Sequence, residues 1–188
     1  MPAPVPPSRT GAAPRSPHVP SEQTSQPRYA AGARGPAPHL VVTVGGAPAP
    51  EVRPQDRLVE IAPGAATGDR LGTELAGVTT GWRILVTGPE LELQEVRAAA
   101  LARGALDEEL LLVPTDVTGT GDAAVEGVRR RAVHCGHCHA RFVSETAPGD
   151  ALGCPGCRSE LVVAHHHSRT HAAFLGVPTG TRVAGPGA

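Results

Sequence analysis

Two cysteine pairs, Cys135-Gly-His-Cys138 and Cys154-Pro-Gly-Cys157, are separated by fifteen residues and hold all four cysteines of the chain. A two-residue gap lets the backbone bend into a tight knuckle with both sulfurs on one side. Two such knuckles at this separation match the spacing of tetrahedral four-thiolate zinc sites. The stretch between them, "HARFVSETAPGDALG", begins β-rich and reaches the turn residues Pro148, Gly149 and Asp150, which predicts a hairpin returning the chain to the first pair. "ELVVAHH" (160–166) predicts a further strand, so a three-stranded, zinc-ribbon-like module over 129–178 is expected. Its metal ligands would be Cys135, Cys138, Cys154 and Cys157. Structural Zn2+ is the first reading. Iron fits the same cage and would make a rubredoxin-like electron carrier. A closed four-sulfur shell leaves no position for water, so hydrolysis at the metal is not expected.

The rest of the composition explains why such a staple would be needed. The chain has only four aromatic residues, Tyr29, Trp82, Phe142 and Phe174, in 188. Its apolar residues are mostly Ala, Val and Leu, so each buried side chain removes little area from water. No run of about 20 apolar residues occurs, which excludes a membrane-spanning helix. The N-terminus carries no apolar leader segment, so a cytoplasmic, reducing setting is expected, where thiols outlast disulfides.

Charge is nearly balanced overall but unevenly placed. Residues 39–128 hold six Arg and fourteen acids, whereas residues 129–188 hold seven Arg and three acids. The basic end can dock on its acidic neighbour or on another protein. A nucleic-acid-binding ribbon, suggested by Arg129, Arg130 and Arg131, is disfavoured by the acidic middle, the lack of stacking aromatics and the neutral pI.

Residues 1–38 contain ten of the twenty prolines and no periodicity, which predicts a disordered tail. From His39 the pattern becomes α/β. "HLVVTVGG" predicts a buried strand, "DRLVEI" (56–61) another, and "GDRLGTELAGV" (68–78) a short helix with Leu71 and Leu75 on one side. In 82–114, Arg83 to Thr87 predict a strand, Pro89 a helix start, Gly104 a helix end and "ELLLV" (109–113) a second strand. This is a parallel β-α-β unit. The expected fold class is therefore α/β: a small three-layer α/β domain over 39–128, a zinc-ribbon-like module over 129–178 and a flexible tail over 179–188.

Other features point to no active site. His165, His166 and His167 alternate in direction on a strand and cannot all converge on one ion. Ser168 is expected to cap a helix over 169–176. "GTGDAA" (119–124) has dinucleotide-motif glycines but leads into the cysteine module instead of a β-α-β unit, and "GGAPAP" (45–50) is no better a phosphate loop. No catalytic or cofactor-binding residue is assigned.

The segments "WRILVTGPE…RAAALARGALDEEL", "CGHC…CPGC" and "LVVAHHHSRTHAAFLGV", in this order, resemble the small accessory (A-type) subunit of bacterial dimethylamine monooxygenase over residues 39–178. Where that family would show His-Phe-Ser-Arg and Tyr-Met-Gly-Val, this chain has His167 and Phe174-Leu175. The resemblance implies a non-catalytic subunit of a heteromeric, NADPH-dependent enzyme that oxidatively demethylates a secondary amine. It also implies haem, flavin and an iron–sulfur cluster on partner subunits. A second likeness links "RILVTGPELELQEVRAAALARGALDEELLL" to the last β-α-β of ferredoxin-reductase NADP domains. Here Thr87 stands in place of the family's cysteine.

Overall fold

The computed structural model describes residues 25–27, 29, 34–62, 69–117 and 127–182. Much of the expected disordered tail, and the whole of "GTGDAA", lie outside them.

The first half is built on a parallel sheet of β1 (His39–Val44), β2 (Arg57–Ile61), β3 (Arg83–Gly88) and β4 (Leu110–Pro114), in the order β2-β1-β3-β4. Helix α1 (Asp69–Ala76) joins β2 to β3, and α2 (Glu90–Leu101) joins β3 to β4. Side chains alternate along a strand. Leu40, Val42 and Val44 therefore share a face with Ile84 and Val86, and this face forms one core with Leu71 and Leu75 of α1 and Leu93, Val96 and Ala100 of α2.

The two helix-bearing crossovers, β2 to β3 and β3 to β4, run in the same direction along the sheet. One crossover hand then places both helices on the same face. Among the described residues α1 and α2 thus share one face of the first sheet, and a second sheet lies beyond α2. Gly104, at φ 92°, turns the chain out of α2, with Ala105 N–H donating to Ala100 O at 3.1 Å.

At the entrance to β1, buried Asp56 gathers the chain. It accepts from the backbone N–H of His39 (2.9 Å) and Arg53 (2.8 Å) and from Arg34 Nη2 (2.6 Å). Burial disfavours its charge. The two amides and the Arg53 and Arg34 guanidiniums outweigh this and hold its pKa well below the usual carboxylate range.

The opposite end of the sheet is the C-terminal one, where nucleotides sit in doubly wound folds. A Cβ on Gly45 would lie 3.0 Å from the Pro89 ring, and Glu90 N–H already donates to Asp116 Oδ1 at 2.9 Å. The Asp116 carboxylate thus takes a place at the N-terminus of α2 that suits an anion.

The second half is a five-stranded sheet, not the three-stranded ribbon expected. It comprises β5 (Arg129–Cys135), β6 (Arg141–Thr146), β7 (Ala151–Gly153), β8 (Ser159–Ser168) and β9 (Ala173–Arg182), in the order β6-β5-β9-β8-β7. β9 replaces the helix expected over 169–176, and Ser168 caps a turn instead, its Oγ accepting from His171 N–H at 3.2 Å. The reason is tertiary. Hairpins β5–β6 and β7–β8 each leave one edge open, and β9 satisfies both, parallel to β5 and antiparallel to β8. Pairing on two sides outweighs the helical preference of Ala172-Ala173-Phe174-Leu175. Gly176 permits it, because a Cβ there would lie 2.8 Å from Leu161 Cδ1 and 3.0 Å from Val133 Cγ1.

Helix α2 lies between the two sheets. Its far side meets the second one through a small apolar contact, Leu91 with Ala132 and Ala173, and a row of ion pairs. Glu90 faces Arg129 Nε (3.2 Å) and Arg131 Nη2 (3.3 Å), Glu92 faces Arg130 (3.6 Å), Glu95 faces Arg141 (2.8 Å), and Asp107 beyond the helix faces Arg169 (3.0 Å). Part of the charge asymmetry of the sequence is thus met within the molecule, across α2.

Glu90 and Arg131 are each only 1% exposed. Burial raises the Glu90 pKa against the pull of Arg131 and Arg129, and lowers that of Arg131. Tyr29, from the proline-rich segment, packs on the first core, and its hydroxyl accepts from Gln94 Nε2 at 3.0 Å.

Candidate metal centre

The two knuckles are copies of one backbone design. Each follows the inner end of a strand: β5 delivers Cys135, and β7 delivers Cys154 one residue past its end. In the first, Cys135 N–H donates to Ala140 O (2.9 Å) and His139 N–H to Cys135 O (3.0 Å). In the second, Cys154 N–H donates to Ser159 O (2.9 Å) and Arg158 N–H to Cys154 O (2.9 Å). The residue after each second cysteine is left-handed, His139 at φ 62° and Arg158 at φ 61°. Two non-glycine residues in this region, at equivalent positions, mark a turn imposed by the surroundings. Gly136 N–H donates to Gly176 O (2.8 Å), tying the first knuckle to β9. A Cβ on Gly156 would lie 3.2 Å from Cys138 Sγ, so glycine lets the second knuckle approach the first.

This brings the four sulfurs together within 4.8 Å of one another. Across the knuckles, Cys135 Sγ is 3.8 Å from Cys157 Sγ and Cys138 Sγ is 3.6 Å from Cys154 Sγ. All four cysteines are free, so these are not disulfides. Zinc–sulfur bonds of about 2.3 Å give a tetrahedral edge of about 3.8 Å, which these two cross-knuckle separations match. The donor set and its spacing fit a four-coordinate thiophilic ion, and such a cluster can bind one.

The electrostatics agree. The Ser159 hydroxyl, 3.4 Å from Cys157 Sγ, together with its backbone N–H, brings the Cys157 pKa down to about 5. At Cys138 the Ala140 N–H favours the thiolate, but desolvation and the neighbouring sulfurs prevail and push the pKa up to about 12. Four sulfurs this close cannot all ionise on their own; a divalent cation removes that conflict and releases the protons. Cys135 and Cys154 are buried and Cys138 is exposed. Ser159 did not figure in the sequence reading, although its place two residues beyond the second pair marks the knuckle exit.

The histidine run divides. A register irregularity between Val163 and His167 lifts His165 and His166 out of regular pairing with β9, whereas His167 is paired opposite Phe174. His166 is exposed, its Nδ1 2.7 Å from Ser25 Oγ, and Gln26 reaches His165 Nδ1 at 2.9 Å. His167 is buried, its ring meeting Phe174 edge-on with centroids 5.0 Å apart and its backbone N–H donating to Ser25 Oγ at 3.1 Å. None of the three approaches the sulfurs.

No helix among the described residues is long and apolar enough to cross a membrane. Comparison with curated proteins finds no match, and comparison with solved structures finds none. Residues 132–177, which carry all four cysteines and most of the second sheet, match the family model for the dimethylamine monooxygenase subunit DmmA-like, C-terminal domain.

Proposed function

We propose that this chain is a non-catalytic accessory or scaffold subunit of a heteromeric, NADPH-dependent monooxygenase acting on dimethylamine or a related secondary amine. Oxidative N-demethylation belongs to partner subunits that carry haem, flavin and an iron–sulfur cluster. The observation that carries this reading is the DmmA-like match over 132–177, which encloses the four-sulfur cluster.

In this reading Cys135, Cys138, Cys154 and Cys157 hold one structural Zn2+. The ion supplies four directional bonds and charge compensation to a small module, and its binding free energy contributes directly to folding. The chain's own groups orient the sulfurs: the His137 amide lies 3.4 Å from Cys135 Sγ, and Ser159 attends Cys157. The acidic α/β half and the basic sheet hold each other through α2, and the remaining surface is available to partners. The division into 39–128 and 129–178 and a cytoplasmic location belong to the same proposal.

One observation favours a second reading. Cys138 is exposed, which would bring a ligand sulfur of a rubredoxin-like iron site to the surface where an electron donor can reach it. Ferric four-thiolate is red and zinc is colourless, so metal analysis with a visible spectrum separates the two. The nucleic-acid reading loses its main support, since Arg129, Arg130 and Arg131 face Glu90 and Glu92.

The test is affinity capture from the native host at endogenous level, with identification of co-purifying chains and their cofactors. Haem-bearing and flavin-bearing subunits are expected. Recovery alone, or with RNA polymerase, would overturn the proposal.

A further inference from the structure

Beside the first knuckle, three imidazoles crowd one patch of surface. His134 Nε2 lies 3.4 Å from His139 Nδ1, with ring centroids 5.6 Å apart. His171 stacks on His134 at 5.2 Å with ring planes 18° apart. His139 and His171 are exposed and His134 is half-buried. None of the three belongs to the four-sulfur cluster.

The separation of the first pair is informative. An N–H hydrogen bond usually spans about 2.7–3.2 Å. Two nitrogens each about 2.1 Å from a tetrahedral ion lie about 3.4 Å apart, the distance found here.

The backbone fixes this pair. His134 is set in β5 opposite Arg141 and Leu175. His139 is held in its left-handed turn by its N–H to Cys135 O. The knuckle that brings Cys135 and Cys138 to the second cysteine pair thus carries the two imidazoles next to them in sequence. His171 sits in the turn between β8 and β9. Its N–H donates to Ser168 Oγ, and its carbonyl accepts from Arg141 Nε at 3.2 Å. The Arg141 guanidinium, the neighbouring cation, is engaged by Glu95 at 2.8 Å.

We propose that His134, His139 and His171 form a second, surface site for a borderline divalent transition-metal ion such as zinc or nickel. His134 and His139 are the preset pair, and His171 turns about its exposed side-chain bonds to supply the third nitrogen. An all-imidazole donor set selects such ions over magnesium and calcium, which prefer oxygen. The fourth position is open, to water or to a side chain of another subunit. The site stands on geometry independent of the proposed function.

The test uses the full chain already carrying one ion equivalent, with its four thiols shielded from a thiol reagent. Zn2+ alone is then titrated in by calorimetry, and Ni2+ in a second series. A second, weaker equivalent is expected. Its affinity should fall about tenfold or more in His139→Asn, since asparagine tolerates the left-handed turn, and likewise in His171→Asn. Thiol shielding should persist in both. If shielding is lost in His139→Asn, the His171→Asn result decides. No second equivalent, an equivalent unaffected by the substitutions, or one that depends on His139 but not His171 would overturn the three-imidazole site.

Discussion

A histidine buried beside guanidinium groups must stay neutral, and His167 is in that position. Burial first, then the charges of Arg97 and Arg131, bring its pKa down to about 3. The unfolded chain takes up a proton near pH 6.5 that the folded chain refuses until far lower pH. This contribution to stability is therefore whole above about pH 6.5 and is lost as pH falls, at about 1.4 kcal/mol per unit. His167→Phe removes the titrating group and keeps an aromatic ring against Phe174. Urea unfolding of both chains between pH 7 and pH 5 should show wild type losing stability faster, and equal slopes would refute the assignment. At the cage, Cys154→Ser should abolish tight metal binding and unfold the second sheet, read as lost β-sheet circular dichroism and exposure of the three remaining thiols. The four cysteines were legible from spacing alone because knuckle geometry is local. The fate of His167 was not, because it depends on a register irregularity in β8 and on a contact from Ser25, 142 residues away in sequence.

At the level of elements, β1, β3, α2 and β4 follow the sequence pattern closely. Strand period, the Pro89 entry and the Gly104 exit are written in neighbouring residues. β9 is the counter-example. Its residues favour a helix when read alone, and only two open strand edges, contributed by segments far apart, make a strand the better solution. The acidic first turn of α2 likewise suits its helix dipole, but Glu90 is also one side of a buried ion pair that joins the two halves. Breaking such a pair from one side leaves an uncompensated charge, at a cost of about 3–5 kcal/mol. Arg131→Met should destabilise the chain by that order, and Arg131→Met combined with Glu90→Leu by clearly less than the two single effects added. A denaturation double-mutant cycle checks this. Additive losses would mean that the residues act independently.

Over the whole molecule, two apolar cores of modest size are joined by a charged seam along α2. The first core needs no metal: Leu40, Val42, Val44, Ile84, Val86, Leu93 and Val96 are all buried there. The second is thin, with Val133, Val163 and Phe174 in one cluster and Leu161 against Cys135 and Cys154 in another. A strong chelator should therefore open the second sheet first. Hydrogen exchange after chelation is expected to deprotect β5 to β9 while β1 and β3 stay protected. Uniform deprotection would show that the two halves unfold as one unit. The charge asymmetry that foretold this seam was visible in the sequence, whereas the docking of Tyr29 on the first core was not, since nothing local distinguishes it within a proline-rich stretch.

The most direct test of the account is metal analysis of the natively purified chain, with its absorption spectrum and a count of reactive thiols. One zinc per chain, no visible colour and four shielded sulfhydryls are expected. A stably folded, metal-free chain with four freely reactive sulfhydryls would contradict it.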